Sequence, residues 1–85
     1  MTAIFSNHAL LQMERRSIDK ELVIEIINAP DEITKQDTEV WVFAKVVNEG
    51  PKAYLYRVFM NVTKQPNLII TAYKTSKFDK YGYSV

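Results

Sequence analysis

The hydrophobic period of this chain changes at Pro30, and that change restricts the fold more than any other feature. Before it, apolar residues recur at helical spacing. From a cap at Ser6 or Asn7, Ala9, Leu10 and Met13 share one side of a first helix, while His8, Gln12 and Arg15 lie together on the opposite side. Arg16-Ser17-Ile18-Asp19 breaks the pattern. Asp19 can cap a second helix, DKELVIEIINA, whose Leu22, Val23, Ile26 and Ile27 form an apolar face. Pro30 ends it, because the residue before a proline is pushed out of the helical region. So few residues join the two helices that they must be neighbours.

After Pro30 the period is that of strands. A short strand is expected around Ile33, then strands over 38–47 (TEVWVFAKVV), 53–63 (AYLYRVFMNVT) and 67–74. Asn48-Glu49-Gly50-Pro51-Lys52 and Lys64-Gln65-Pro66-Asn67 read as turns, and short connections make neighbouring strands antiparallel. The predicted class is α+β: one domain over residues 1–85, with an N-terminal helical hairpin packed on a three- to four-stranded antiparallel sheet. At 85 residues the chain buries only about 60–65% of its unfolded surface, so its large apolar side chains are needed in the core.

Alternation along the strands indicates what each sheet face carries. In 53–63, Tyr54, Tyr56, Val58, Met60 and Val62 share one side, and Leu55, Arg57, Phe59 and Asn61 the other. In 38–47, Val40, Val42, Ala44 and Val46 oppose Trp41, Phe43, Lys45 and Val47; in the last strand, Thr71 and Tyr73 oppose Ile70 and Ala72. If the smooth valine-type face meets the helices, Lys45, Arg57, Thr71 and Tyr73 gather on the remaining face among Trp41 and Phe59. That set forms a basic, aromatic platform. A one-residue slip in register would scatter it.

Charge is divided along the chain. Residues 1–50 carry five basic and nine acidic side chains, while 51–85 carry six and one, within a formal net charge of +1. A basic second half attracts phosphate if it presents one surface; the plainer reading is acidic helices and basic strands. No apolar run approaches the ~20 residues that cross a bilayer, and MTAIFSNHALL lacks the basic region and cleavage pattern of a signal peptide. With no cysteine in a chain this small, the expected location is the cytoplasm. One histidine and no cysteine leave no zinc site of the usual composition, and two glycines make neither a Walker loop nor a dinucleotide fingerprint. No cofactor is expected.

Some of these residues also carry a family resemblance. His8-Ala9-x-x-Gln12-Met13-x-x-Arg16-Ser17-Ile18, a helix ending at Ala29-Pro30, the Arg57-Val58 pair and the closing Ile70-Thr71-Ala72-Tyr73-Lys74-Thr75-Ser76-Lys77 resemble an uncharacterised small bacterial domain family. That family reads His-Ala-x-x-Arg-Met-x-x-Arg-Gly-Ile near its start and Ile-Thr-x-Tyr at its end, and it is similar in layout to the BrnT and RelE toxins. Those toxins are metal-independent ribonucleases neutralised by a partner antitoxin. Gln12 stands where the family has arginine, which removes a cation from the polar stripe, and Ser17 stands where it has glycine.

The resemblance implies His8, Arg57 and Tyr73 as catalytic candidates, and Arg16, Lys45, Thr71, Lys74 and Lys77 as candidates for holding phosphate or RNA. RNA cleavage through 2′-hydroxyl attack needs a base, an acid and cations where phosphate charge develops. His8 is the sole histidine, Tyr73 or Lys74 can act after a pKa shift, and Arg16 with Arg57 can clamp phosphate. Each also has a plain role: His8 as a solvated or capping residue, Arg16 at a helix C-terminus, Arg57 in a cross-strand pair, Tyr73 as a half-buried aromatic, and the lysines as a solvated tail. The expected function is a toxin-like, metal-independent ribonuclease or an RNA-binding relic of one, with RNA or the ribosome and an antitoxin as partners. The alternative is a non-catalytic interaction module or homodimer, pairing through an apolar edge that includes Trp41 and Phe43.

Overall fold

The structure is a computed structural model and describes residues 2–78 and Lys80. In chain order it comprises β1 (Ala3–Phe5), α1 (Asn7–Arg15), α2 (Lys20–Asn28), β2 (Glu32–Lys35), β3 (Val40–Glu49), β4 (Lys52–Asn61) and β5 (Asn67–Thr75). The class is α+β, as the change of period at Pro30 predicts. The sheet, however, has five strands in the order β1-β5-β4-β3-β2, and it is mixed, because β1 runs parallel to β5 while the remaining pairs are antiparallel. The expectation of three or four antiparallel strands therefore falls short by β1. A three-residue strand shows too little alternation to be read, and its pairing of Ala3, Ile4 and Phe5 with Asn67, Leu68 and Ile69 is set by tertiary structure.

Both helices start and stop by local chemistry. Ser6 caps α1, its Oγ accepting the Ala9 N–H at 3.0 Å. At the other end the Ile18 N–H bonds the Met13 carbonyl and the Ser17 N–H the Glu14 carbonyl, with Ser17 at φ 55. This is a Schellman stop. It explains why a glycine suits position 17 and turns Ile18 inward, where it is 6% exposed. Asp19 occupies the cap position of α2 without a side-chain hydrogen bond.

α1 packs along β5 and α2 against β3 and β4. Ala9, Met13, Ile18, Val23, Ile26 and Ile27 from the helical segment meet Phe43, Tyr56, Val58, Met60, Ile69 and Ala72 from the sheet. For β4 this is the expected face; on β5 Ala72 lies as expected, but Ile69 takes the core place expected of Ile70, because the β4–β5 register slips between Phe59 and Met60 and skips Ile70. For β3 it is the reverse: Trp41 and Phe43 lie on the helix side, and Phe43 is 0% exposed, so these two rings belong to the core and not to an apolar pairing edge. The cause is the β3–β4 hairpin. Glu49 pairs with Lys52 across the two-residue loop Gly50-Pro51, whose Gly50 at φ 64 suits a mirror-image hairpin turn. That register places Trp41, Phe43, Lys45 and Val47 beside Met60, Val58, Tyr56 and Tyr54.

Candidate functional site

On the sheet face away from the helices, the β4–β5 register sets Arg57 beside Tyr73 and Phe59 beside Thr71. Arg57 donates a hydrogen bond to the Tyr73 hydroxyl. The Phe59 and Tyr73 rings stack with centroids 6.0 Å apart and planes 27° from parallel. The Arg57 guanidinium lies 5.3 Å from the Phe59 centroid and 5.7 Å from that of Tyr73, within cation–π range.

A second guanidinium reaches the same ring from the helical hairpin. Arg16 is the C-cap of α1, and the Schellman stop fixes where its side chain begins. α1 lies beside β5, whose outer edge is paired by β1 only over 67–69. Arg16 Nη1 reaches that strand beyond the paired stretch. It donates to the Ala72 carbonyl at 2.8 Å, lies 3.5 Å from Thr71 Oγ1, and its Cζ stands 6.0 Å from the Tyr73 centroid. Its partners are neutral, and Arg16 forms no ion pair among the described residues.

Four of the residues expected from the sequence thus come together: Arg16, Arg57, Thr71 and Tyr73. The others do not join them. Lys45 faces the helices, where its Nζ donates to the Ala29 carbonyl at the end of α2 (3.0 Å) and lies 3.7 Å from Asp31. A cation there favours the helix C-terminus. Lys74 also lies on the helix side, bonded to Glu49 at 2.9 Å, with its ammonium 4.7 Å from the Tyr54 centroid. Lys77 is exposed beyond β5, its backbone N–H bonded to Thr75. His8 is exposed in the first turn of α1, eight residues and roughly 12 Å of helix axis from Arg16.

The cluster of Glu49, Tyr56 and Lys74 was not expected from the sequence. The Tyr56 hydroxyl donates to Glu49, which also takes the Lys74 ammonium. The hydrogen bond from Tyr56, and then that from Lys74, lower the Glu49 pKa. Burial and the Glu49 hydrogen bond raise that of Tyr56, while the Glu49 hydrogen bond raises that of Lys74. Its signal was the two-residue loop, which brings Glu49 across from Lys52 and toward the Tyr56 and Lys74 side of the sheet.

Among the described residues no group of three or more histidine, cysteine, aspartate or glutamate side chains could hold a metal, and no helix is long and apolar enough to cross a membrane. What the Arg16–Arg57–Tyr73–Phe59 cluster can do is bind. Guanidinium groups hold phosphate oxygens by paired, charge-assisted hydrogen bonds, and ring faces stack on bases. Residues 5–74 match the profile of a family described as Domain of unknown function (DUF4258). No curated protein and no solved structure matches the chain.

Proposed function

The chain belongs to the DUF4258 family, and we propose that it binds RNA, as a toxin-like metal-independent ribonuclease similar in layout to BrnT and RelE or as the RNA-binding relic of one. The observation that carries this reading is Arg16. It comes from a different element than Arg57 and Tyr73, forms no ion pair among the described residues, and still places its charge 6.0 Å from the ring to which Arg57 is bonded. Two cations at one tyrosine, with a phenylalanine stacked behind it, suit a phosphate flanked by an unstacked base.

The binding half of the reading draws more support than the catalytic half. Cleavage needs a base within reach of the 2′-hydroxyl, and His8, the one histidine, stands at the far end of α1 with no hydrogen bond toward Tyr73. Gln12, half-buried on the same helix, supplies no cation in its place. On this reading the RNA is cytoplasmic, free or on the ribosome, and an antitoxin is the partner that would cover the same face.

Fluorescence anisotropy with a labelled single-stranded RNA at low salt tests the proposal, with cleavage followed in parallel in the presence of a chelator. Arg57→Ala and Arg16→Ala should each weaken binding by about tenfold, the size of one lost charge-assisted contact, while Lys74→Ala changes it less than about twofold. Equal effects from all three, or none at all, would overturn the assignment of this face. Cleavage by the wild type that His8→Ala abolishes would restore the catalytic half.

A further inference from the structure

The sheet face away from the helices holds three buried apolar side chains: Leu55 is 0% exposed, Val42 2% and Ala44 4%. None of them belongs to the core beneath the helices. Leu55 precedes the helix-side Tyr56, and Val42 and Ala44 flank the helix-side Phe43, which assigns all three to the far face. No helix or strand among the described residues lies over that face.

Side chains on a sheet stand roughly perpendicular to it, so neighbours in the same sheet screen a residue's flanks and leave its tip open. The long neighbours do not lean over these tips. Arg57, cross-strand from Ala44, donates to Tyr73 on β5, and Phe59, cross-strand from Val42, stacks on the same ring, so both lean away from β3. Leu55 lies between Val46 and Thr75, both shorter than leucine. Burial of all three therefore requires cover from above. That cover ends at β3, because Glu32 and Thr34, the next residues across on β2, are exposed.

The chain itself supplies a segment at the right place. β5 leaves the sheet at Thr75, cross-strand from Leu55, and Thr75 Oγ1 accepts the Lys77 N–H at 3.0 Å. This tight turn draws the chain toward the side on which the Thr75 side chain stands, which is the far face. Ser76 and Lys77 are exposed, but Phe78 is half-buried. The sequence then continues to Tyr81 and Tyr83. β3 lies two strand spacings from β5, about 10 Å, and the residues leading from Thr75 to Tyr81 span up to about 20 Å, so the reach suffices. A tyrosine ring also suits the place, since it covers small apolar side chains while its hydroxyl stays in water.

We propose that residues 81–85, led by Tyr81 and Tyr83, dock back across this face over Leu55, Ala44 and Val42, and that they compete there with RNA. Arg57 follows Leu55 on this face and is cross-strand from Ala44, so a segment lying over both covers the Arg57–Tyr73 pair. The competition rests on the RNA-binding reading above; the docking does not. A segment docked about four-fifths of the time weakens RNA binding about fivefold, because only the open fraction is competent.

A nitroxide attached at Ser84→Cys, in a chain with no other cysteine, tests the docking through the broadening of methyl resonances. The methyls of Leu55, Ala44 and Val42 should broaden more than those of Val23, Ile26 and Ile27 on the helix side, and added single-stranded RNA should reverse the difference. By fluorescence anisotropy, the double variant Tyr81→Ser/Tyr83→Ser should bind the same RNA about fivefold more tightly than the wild type, with helix-side methyl shifts unchanged as the sign of an intact fold. Broadening no greater at Leu55, Ala44 and Val42 than on the helix side would overturn the docking. Preferential broadening that RNA leaves untouched, with equal RNA affinity in wild type and double variant, would overturn the competition. No RNA binding by either protein, with the preferential broadening retained, would remove the RNA-binding reading and the competition with it while supporting the docking.

Discussion

Tyr56 and Tyr73 lie on neighbouring strands, each beside a long cationic side chain, and the sheet sends them to opposite faces. On the helix side, Tyr56 is 2% exposed, donates to Glu49 and has the Lys74 ammonium 5.7 Å from its ring. There the cation is matched by a carboxylate and the ring belongs to the core. On the far side, Tyr73 accepts from Arg57 and is approached by Arg16 from the helical hairpin. Similar residue types thus give a closed structural unit in one place and a surface of converging donors in the other. Adjacency in sequence, as of Tyr73 and Lys74, says little about a site, because adjacent strand positions face opposite ways.

Three changes would break or sharpen that contrast. The largest effect is expected from Tyr56→Ala, which removes a buried ring and should cost about 3 kcal/mol in urea denaturation. Tyr73→Ala should cost clearly less, and equal losses would erase the distinction between core and surface tyrosine.

Next comes pH. Glu49 has a folded pKa below its ordinary 4.5, so its contribution is present above that value and is lost as pH falls through the lower, folded one. Lys74 is raised above 10.5, so its contribution is present below that value and lost as pH rises through the folded one; Tyr56, raised above 10.0, acts in the same direction. A thermal-midpoint profile should therefore fall at both ends, and Glu49→Gln should flatten both limbs. An unaltered profile would mean that the cluster adds nothing to stability. Part of the acid limb should survive, because Asp37 is also lowered by backbone hydrogen bonds from Val40 and Glu39.

The smallest effect is expected at Ser17. A serine held at φ 55 costs more than glycine there, so Ser17→Gly should stabilise the fold by about 0.5–1 kcal/mol and keep Arg16 in place. A loss of stability would show that the serine side chain supplies something the backbone geometry does not account for.

Much of the fold was legible because it rests on local rules. Pro30 had to end a helix, Ser6 could cap one, and the valine-rich runs had to be strands. The face of β4, and that of β5 beyond its irregularity at Ile70, followed from alternation within each strand. The face of β3 did not. Valine, alanine, phenylalanine and tryptophan are all apolar enough to be buried, so alternation alone could not choose between Val42 and Phe43 for the helix side. The choice lay in loop length: with Gly50-Pro51 as the whole turn, Glu49 must meet Lys52, and every residue of β3 is then assigned.

By itself, then, the sequence determined two amphipathic helices, a run of strands and a basic second half, since periodicity and turn chemistry act over a few residues. Only the tertiary structure decided that β1 joins β5, that Lys45 and Lys74 turn toward the helices, and that Arg16 meets Tyr73 from 57 positions away. Those outcomes depend on register and on the path of α1 along the sheet edge. Both are set by packing the whole apolar face at once, which no local stretch encodes.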